Sequence, residues 1–139
     1  MRLLIDNNIL LDVLQKRCPH YENSRRIWAE CVETRNNGYI SALTFADIVY
    51  IMRKEVAYNE IDALLATITK FFSVVDLTLF DLDKAANMKW RDFEDAVQSS
   101  TAERINADYI ITRNTKDFES SKVKAITPEE YFEDVFTID

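Results

Sequence analysis

The order of apolar and polar positions divides the chain into short apolar runs and longer stretches with helical spacing. Leu3-Leu4-Ile5 is wholly apolar and stops at Asp6. After Asn7-Asn8, the residues Ile9, Leu10, Leu11, Val13 and Leu14 resume an apolar pattern with helical spacing. This predicts a buried strand, a turn at Asp6 and a helix entered at once. A strand that is apolar at every position suits a parallel sheet covered on both faces. A polar connection with Pro19 follows, and then Ile27, Trp28, Cys31 and Val32 mark a helix over residues 21–33. Asn36-Asn37-Gly38 is expected to close that helix with a left-handed cap. Tyr39-Ile40-Ser41 reads as a second strand. Thr44 opens the next helix with Asp47 three residues on, a capping-box spacing.

The second half continues the alternation. A helix over about residues 59–71 packs Ile61, Leu64, Leu65 and Ile68, and residues 74–77 form a third strand. Thr78 caps a helix with Asp81 at its third position. Asp92 is placed to cap a helix that runs to about residue 106, with Asp95 one turn in. Residues 109–112 and 123–127 are the fourth and fifth strands. Thr127-Pro128-Glu129-Glu130 then starts a last helix: cap, proline in the first turn, Glu at the third position. Strands alternating with helices predict an α/β fold with a mainly parallel central sheet flanked by helices. There is no repeat, low-complexity tract or linker, so residues 1–139 are expected to form one domain.

Composition narrows the picture. Hydrophobic residues make up 47% of the 139, enough for a real core, and a single Gly with two Pro argues against a turn-rich all-β fold. No apolar run approaches ~20 residues, so no membrane span is expected. The first strand follows Met1-Arg2 directly, which leaves no room for a secretory signal and predicts a cytoplasmic protein. Cys18 and Cys31 lack the spacing of a zinc site, and His20 is the only histidine. Gly38 is the only glycine, which excludes the phosphate-binding and nucleophile-elbow motifs that need several. The net charge of −7 has the wrong sign for holding nucleic acid by bulk electrostatics. Such a role would need local basic groups or a bound cation.

Acids and amides fall beside strand ends or in first helical turns at four places: Asp6, Asp47, the Asp92/Asp95 pair, and Asn114 with Asp117. In a parallel sheet the strand ends and the following helix starts share one edge, so these groups can meet in one cleft. Carboxylates crowded there either take up protons or hold a cation. All-oxygen ligands favour Mg²⁺ or Mn²⁺ over zinc. Each acid also has a purely structural reading, as a cap or as a charge favoured by the helix macrodipole. That reading suffices for Asp81, is favoured for Asp92, and stays open for Asp6, Asp47 and Asp95.

Four stretches in order, Leu4 to Asp12, Ile40 to Tyr50, Asp92 to Ala96 and Ala107 to Phe118, resemble PIN domains, especially VapC-like toxin nucleases. The resemblance implies a PIN-like three-layer fold and metal-dependent cleavage of RNA with Mg²⁺ or Mn²⁺. It implies that Asp6, Asp47, Asp95 and Asp117 are the catalytic and metal-binding acids, with Asn8, Thr112, Asn114 and Asp92 supporting them. Asp47 stands where the family usually has Glu, and Asn114 where many relatives have Asp. Arg113 and Lys116 flank the acids and are candidates to contact RNA phosphates. Arg17, Arg53, Lys54, Lys89 and Arg91 are weaker candidates, and Trp90 is a candidate to stack on a base, although core packing is its favoured reading. The resemblance further implies an antitoxin partner and a homodimer. The competing reading is a catalytically weak or inactive PIN-like module that binds RNA or a protein. An aspartyl-phosphate enzyme is disfavoured because Asn8 stands where a second Asp would be needed.

Overall fold

Leu3, Leu4 and Ile5 are completely buried, as an all-apolar strand requires, and they form the central strand of the sheet. The computed structural model describes residues 1–34 and 37–136. In chain order the elements are β1 (Leu3–Ile5), α1 (Asn7–Leu14), α2 (Tyr21–Thr34), β2 (Gly38–Ser41), α3 (Ala42–Met52), α4 (Tyr58–Phe71) and β3 (Ser73–Val75). They continue with α5 (Leu79–Met88), α6 (Phe93–Arg104), β4 (Tyr109–Ile111), a 3-10 turn (Thr115–Phe118), β5 (Ala125–Ile126) and α7 (Pro128–Glu130), which runs into a π-helical turn (Tyr131–Val135).

All strand pairings are parallel, and the sheet order is β3-β2-β1-β4-β5. The chain steps outward from β1 to β3 on one side, then crosses to β4 and β5 on the other. The direction of winding therefore reverses between β1 and β4. Open α/β sheets form a crevice at such a switch point, outside the carboxyl ends of the strands. Here Ile5 is in register with Ile111, so Asp6 and Thr112 leave the sheet side by side.

The alternation of side chains along β1 builds two cores. Leu3 and Ile5 pack with Ile9, Leu10, Ile27, Ile48 and Ile68 on the face covered by α1 to α4. Leu4 packs with Ala102, Ile110 and Phe118 on the face covered by α6. Burying each such side chain stabilises the fold by about 1.5–3 kcal/mol.

Several expected boundaries shift, for identifiable reasons. Gly38 is the first residue of β2 with no positive φ, so it makes no left-handed cap; Asn36 lies outside the described residues. The site needs glycine because of space. A Cβ there would lie 2.7 Å from Cys31 Sγ and 2.8 Å from Phe72 Cδ1, both in buried residues. Thr44 does not open α3; Ser41 does, accepting the Thr44 amide at 3.0 Å. The capping residue comes directly from the end of β2, so α3 starts earlier and Asp47 sits in its second turn. The boxes at Thr78/Asp81 and Thr127/Glu130 form as expected, and Asp92 caps α6.

An ion pair with a buried carboxylate ties α1 to the end of β4 at the switch point. Asp12, fully buried in α1, receives Arg113 Nε at 2.8 Å and Nη2 at 3.1 Å, and Ser24 donates to it at 2.9 Å. Arg113 directly follows Thr112, so the pair pins the end of β4 against α1.

Two outcomes test this packing. Gly38→Ala forces Cys31 or Phe72 to move and should cost about 1–3 kcal/mol in a urea titration. Arg113→Met leaves the Asp12 carboxylate with Ser24 alone. The loss of one partner of a buried pair should cost about 3 kcal/mol by the same measurement.

Candidate metal and catalytic centre

Asp6 directly follows β1 and is the N-cap of α1. Its Oδ1 accepts the Asn7 amide at 2.8 Å, while its Oδ2 accepts the Thr112 hydroxyl at 2.8 Å. Asn8 Nδ2 reaches both Asp6 Oδ2, at 3.4 Å, and Thr112 Oγ1, at 3.2 Å. The Asn114 amide also donates to Thr112 Oγ1, at 3.1 Å. From α6, Gln98 Nε2 donates to Asp6 Oδ1 at 3.5 Å and to Thr44 Oγ1 at 2.9 Å. Asp6 is thus oriented by β1, α1, β4 and α6 together, and only 8% of its surface is exposed.

Around Asp6 lies a polar cleft of about 220 Å³. Asp47 enters it from α3, Asp92, Glu94 and Asp95 from the start of α6, and Asn114 and Asp117 from the segment after β4. Acids from four separate stretches of chain therefore converge on one rim of the sheet. Asn8 also lines this cleft, and Thr112 lies buried beneath it.

The crowding shows in the acidities. Burial raises the pKa of Asp6, opposed by hydrogen bonds from Thr112, Asn7 and Gln98, with the charge of Asp117 adding to the rise. Asp95 is pushed up to about 7, first by burial and then by the charges of Asp92, Asp6, Asp117 and Glu94. Burial also raises Asp47, against a hydrogen bond with Glu94. Glu94 is raised by burial and then by Asp47. A site that makes its own carboxylates hard to ionise is one that a cation would relieve.

The donor set fits a hard divalent ion. It consists of carboxylate and amide oxygens, and no His or Cys lines the cleft. One acceptor inside it is buried without a partner, Gln98 Oε1. Among the described residues no three acidic, Cys or His side chains already converge as a closed ligand set. Oxygen-rich sites for Mg²⁺ commonly leave part of the coordination to water and substrate.

The expected residues divide as follows. Asp6, Asp47, Asp95, Asp117, Asp92, Asn8 and Asn114 line one cleft, with Thr112 hydrogen-bonded to Asp6. Lys116 lines an adjoining groove. Arg113 lines neither; its guanidinium is bound to Asp12. Sequence reasoning missed Glu94, Thr44 and Gln98. Gln98 had a usable signal, since it lies three residues after Asp95 on the same face of α6.

No curated protein matches the sequence. Among solved structures, the fold is similar to that of a toxin–antitoxin complex from Klebsiella pneumoniae. The identity is 22% and the TM-score 0.68, over 91% of this chain and 97% of that one. It is similar to VapBC2 from Rickettsia felis bound to a promoter DNA fragment, with 18% identity and a TM-score of 0.68 over 91% and 98% of the two chains. It is also similar to the sarcin–ricin loop cleaving toxin VapC20 of Mycobacterium tuberculosis, with 12% identity and a TM-score of 0.62 over 78% and 86%. These likenesses describe the fold. The sequence model of the PIN domain matches residues 2–116, most of the chain, and the protein belongs to the PIN domain family.

Proposed function

We propose that this protein is a Mg²⁺- or Mn²⁺-dependent endoribonuclease, acting as the toxin of a VapBC-type toxin–antitoxin pair. One observation carries the reading: Asp6, Asp47, Asp95 and Asp117, remote in sequence, line a single cleft at the switch point of a parallel sheet. Membership of the PIN domain family and structural neighbours named as toxin–antitoxin complexes support it. The same neighbours support an antitoxin as partner, and the reading includes a homodimer, a single domain over residues 1–139 and a cytoplasmic location. Among the described residues no helix is long and apolar enough to cross a membrane.

Asp6 and Asp95 are the principal ligands in this reading, with Asp47 and Asp117 completing the set and Glu94 beside Asp47. A divalent ion held by these residues would supply a water of lowered pKa and positive charge against the phosphodiester oxygens. The protein's own side chains do the rest. Thr112 and Asn8 fix the orientation of the Asp6 carboxylate at the cleft in advance. Gln98 joins Asp6 to Thr44 and offers one further oxygen. Asp95, with its pKa raised to about 7, would have to give up its proton near neutral pH to hold a cation there. The strand-end hydroxyl of Thr112 keeps the Asn114 loop against the site through the Asn114 amide.

Purified protein should cleave RNA with Mn²⁺, and Asp6→Asn or Asp95→Asn should each lower the rate by at least about 10²-fold. Parent-like cleavage in both variants would remove the proposed centre. A parent that neither cleaves RNA nor binds Mn²⁺ calorimetrically would leave the inert-module reading.

The acidity of Asp95 predicts a pH effect with a definite sign. The unfolded chain ionises Asp95 near its usual value, whereas the folded chain does so only near 7. Between those values the folded state binds more protons, so Asp95 makes stability fall as pH rises. In EDTA, Asp95→Asn should melt several degrees above the parent at about pH 8, and the gap should close toward about pH 4.

A further inference from the structure

The carbonyl end of Gln98 has no task in the fold. This side chain is 4% exposed, stands one turn after Asp95 on α6, and lines the acid cleft. Its two amide ends are unequal. Nε2 donates to Thr44 Oγ1 at 2.9 Å and to Asp6 Oδ1 at 3.5 Å. Oε1 is buried and accepts nothing. Among the described residues it is the only buried side-chain oxygen or nitrogen without a hydrogen-bond partner. Buried polar atoms are nearly always paired, so the exception needs a cause.

Packing does not supply one. The next three side chains on α6 are as buried as Gln98, and each has a partner inside the protein. Ser99 shares a hydrogen bond with Ser121 at 2.7 Å, Ser100 donates to Asp81 at 3.1 Å, and Thr101 donates to the Val97 carbonyl at 2.9 Å. Nor does Nε2 rescue a group that would otherwise be stranded. Thr44 Oγ1 already receives the Ser41 hydroxyl at 3.2 Å, and Asp6 Oδ1 already receives the Asn7 amide at 2.8 Å. An apolar side chain of similar length would fill the same space without burying an idle acceptor.

The chemistry of the cleft does. Its carboxylates are acceptors like Oε1 itself, and among the described residues no Lys or Arg lines it. A hard divalent cation is the kind of partner that such an oxygen lacks. A neutral oxygen also suits the balance of charge. The acids already weaken one another's ionisation, and a further carboxylate in reach of Asp6 would add to that repulsion. A carboxamide brings a ligand oxygen without a charge. We propose that Gln98 is a cation-holding residue of this cleft, its Oε1 serving as a neutral oxygen donor to the divalent ion beside Asp6 and Asp95. This role rests on the nuclease reading of the cleft and extends its ligand set to a residue that is not an acid.

The test is Mn²⁺ calorimetry on the full chain near neutral pH, with melting followed in EDTA and in Mn²⁺. Gln98→Met keeps the length and removes the oxygen. It should weaken Mn²⁺ binding by about 10-fold or more and shrink the rise in melting temperature that Mn²⁺ brings. In EDTA it should melt within a few degrees of the parent. Gln98→Glu keeps an oxygen and removes the amide donor. It should bind Mn²⁺ at least as tightly as the parent, yet melt below it in EDTA, where its second oxygen faces Asp6. A residue that acted only through its Nε2 donor would make the Glu variant as weak as the Met variant. Gln98→Met/Ser120→Asp adds the charge in the adjoining groove without the oxygen, and should stay weak. Gln98→Ala removes the same oxygen and takes the place of the Met variant if that one does not fold.

Parent-like Mn²⁺ affinity in Gln98→Met would overturn the proposal. So would equal weakening in the Met and Glu variants, or recovery of affinity through the charge at Ser120. A parent that binds no Mn²⁺ would overturn it together with the nuclease reading. RNA cleavage by a parent whose Met variant keeps full Mn²⁺ affinity would remove the role of Gln98 and leave the nuclease reading standing. A Mn²⁺ site that depends on the Gln98 oxygen, in a parent that cleaves no RNA, would do the reverse.

Discussion

The carboxylate of Asp6 is nine-tenths buried at the point where the sheet reverses its winding, and the surrounding structure answers to that fact. A buried charge is tolerated only where fixed dipoles or an ion compensate it. Here the Thr112 hydroxyl, the Asn7 amide and the Asn8 and Gln98 side chains supply four dipoles, from α1, α6 and the end of β4. They do not neutralise Asp6, whose acidity stays weakened, and the nearby charge of Asp117 makes the deficit larger. The cleft therefore stores electrostatic tension that a divalent ion is suited to release. Rigidity is needed for that tension to persist. It comes from the parallel register of β1 with β4 and from the Asp12–Arg113 pair behind it.

Much of this was legible in the amino-acid order. The wholly apolar Leu3-Leu4-Ile5 run announced a strand covered on both sides, and its two faces indeed feed separate cores. The capping boxes at Thr78 and Thr127 and the cap at Asp92 were readable because they depend on neighbours three residues apart. Contacts between distant residues were not readable in the same way. Arg113 looked like a free cation beside the acids, because nothing local reveals that a buried Asp12, a hundred and one residues earlier, claims its guanidinium. Gly38 looked like a helix terminator because Asn-Gly is a turn signal, whereas its reason is the crowding of Cys31 and Phe72. Gln98 hid among small polar residues of α6, a helix whose burial follows no simple amphipathic stripe.

Charge is distributed unevenly over this acidic chain. Most acids are ordinary surface groups, but those of the cleft are arranged so that their own repulsion limits how many ionise together. Lys89, Arg91 and Lys116 share the adjoining groove with Asp92, Asp95, Asp117 and Glu119, yet among the described residues none of the three collapses into an ion pair. Arg104 with Asp81, at the other end of α6, shows what such a collapse looks like: a neutralised, half-buried and purely architectural pair.

Asp6 also caps α1, and asparagine is as good a helix cap as aspartate. That equivalence holds for one oxygen only. The other accepts from the Thr112 hydroxyl and the Asn8 amide, and the nitrogen of an asparagine there would meet them donor to donor. The scaffold itself therefore asks for a side chain with two accepting oxygens at this vertex, whatever chemistry it serves.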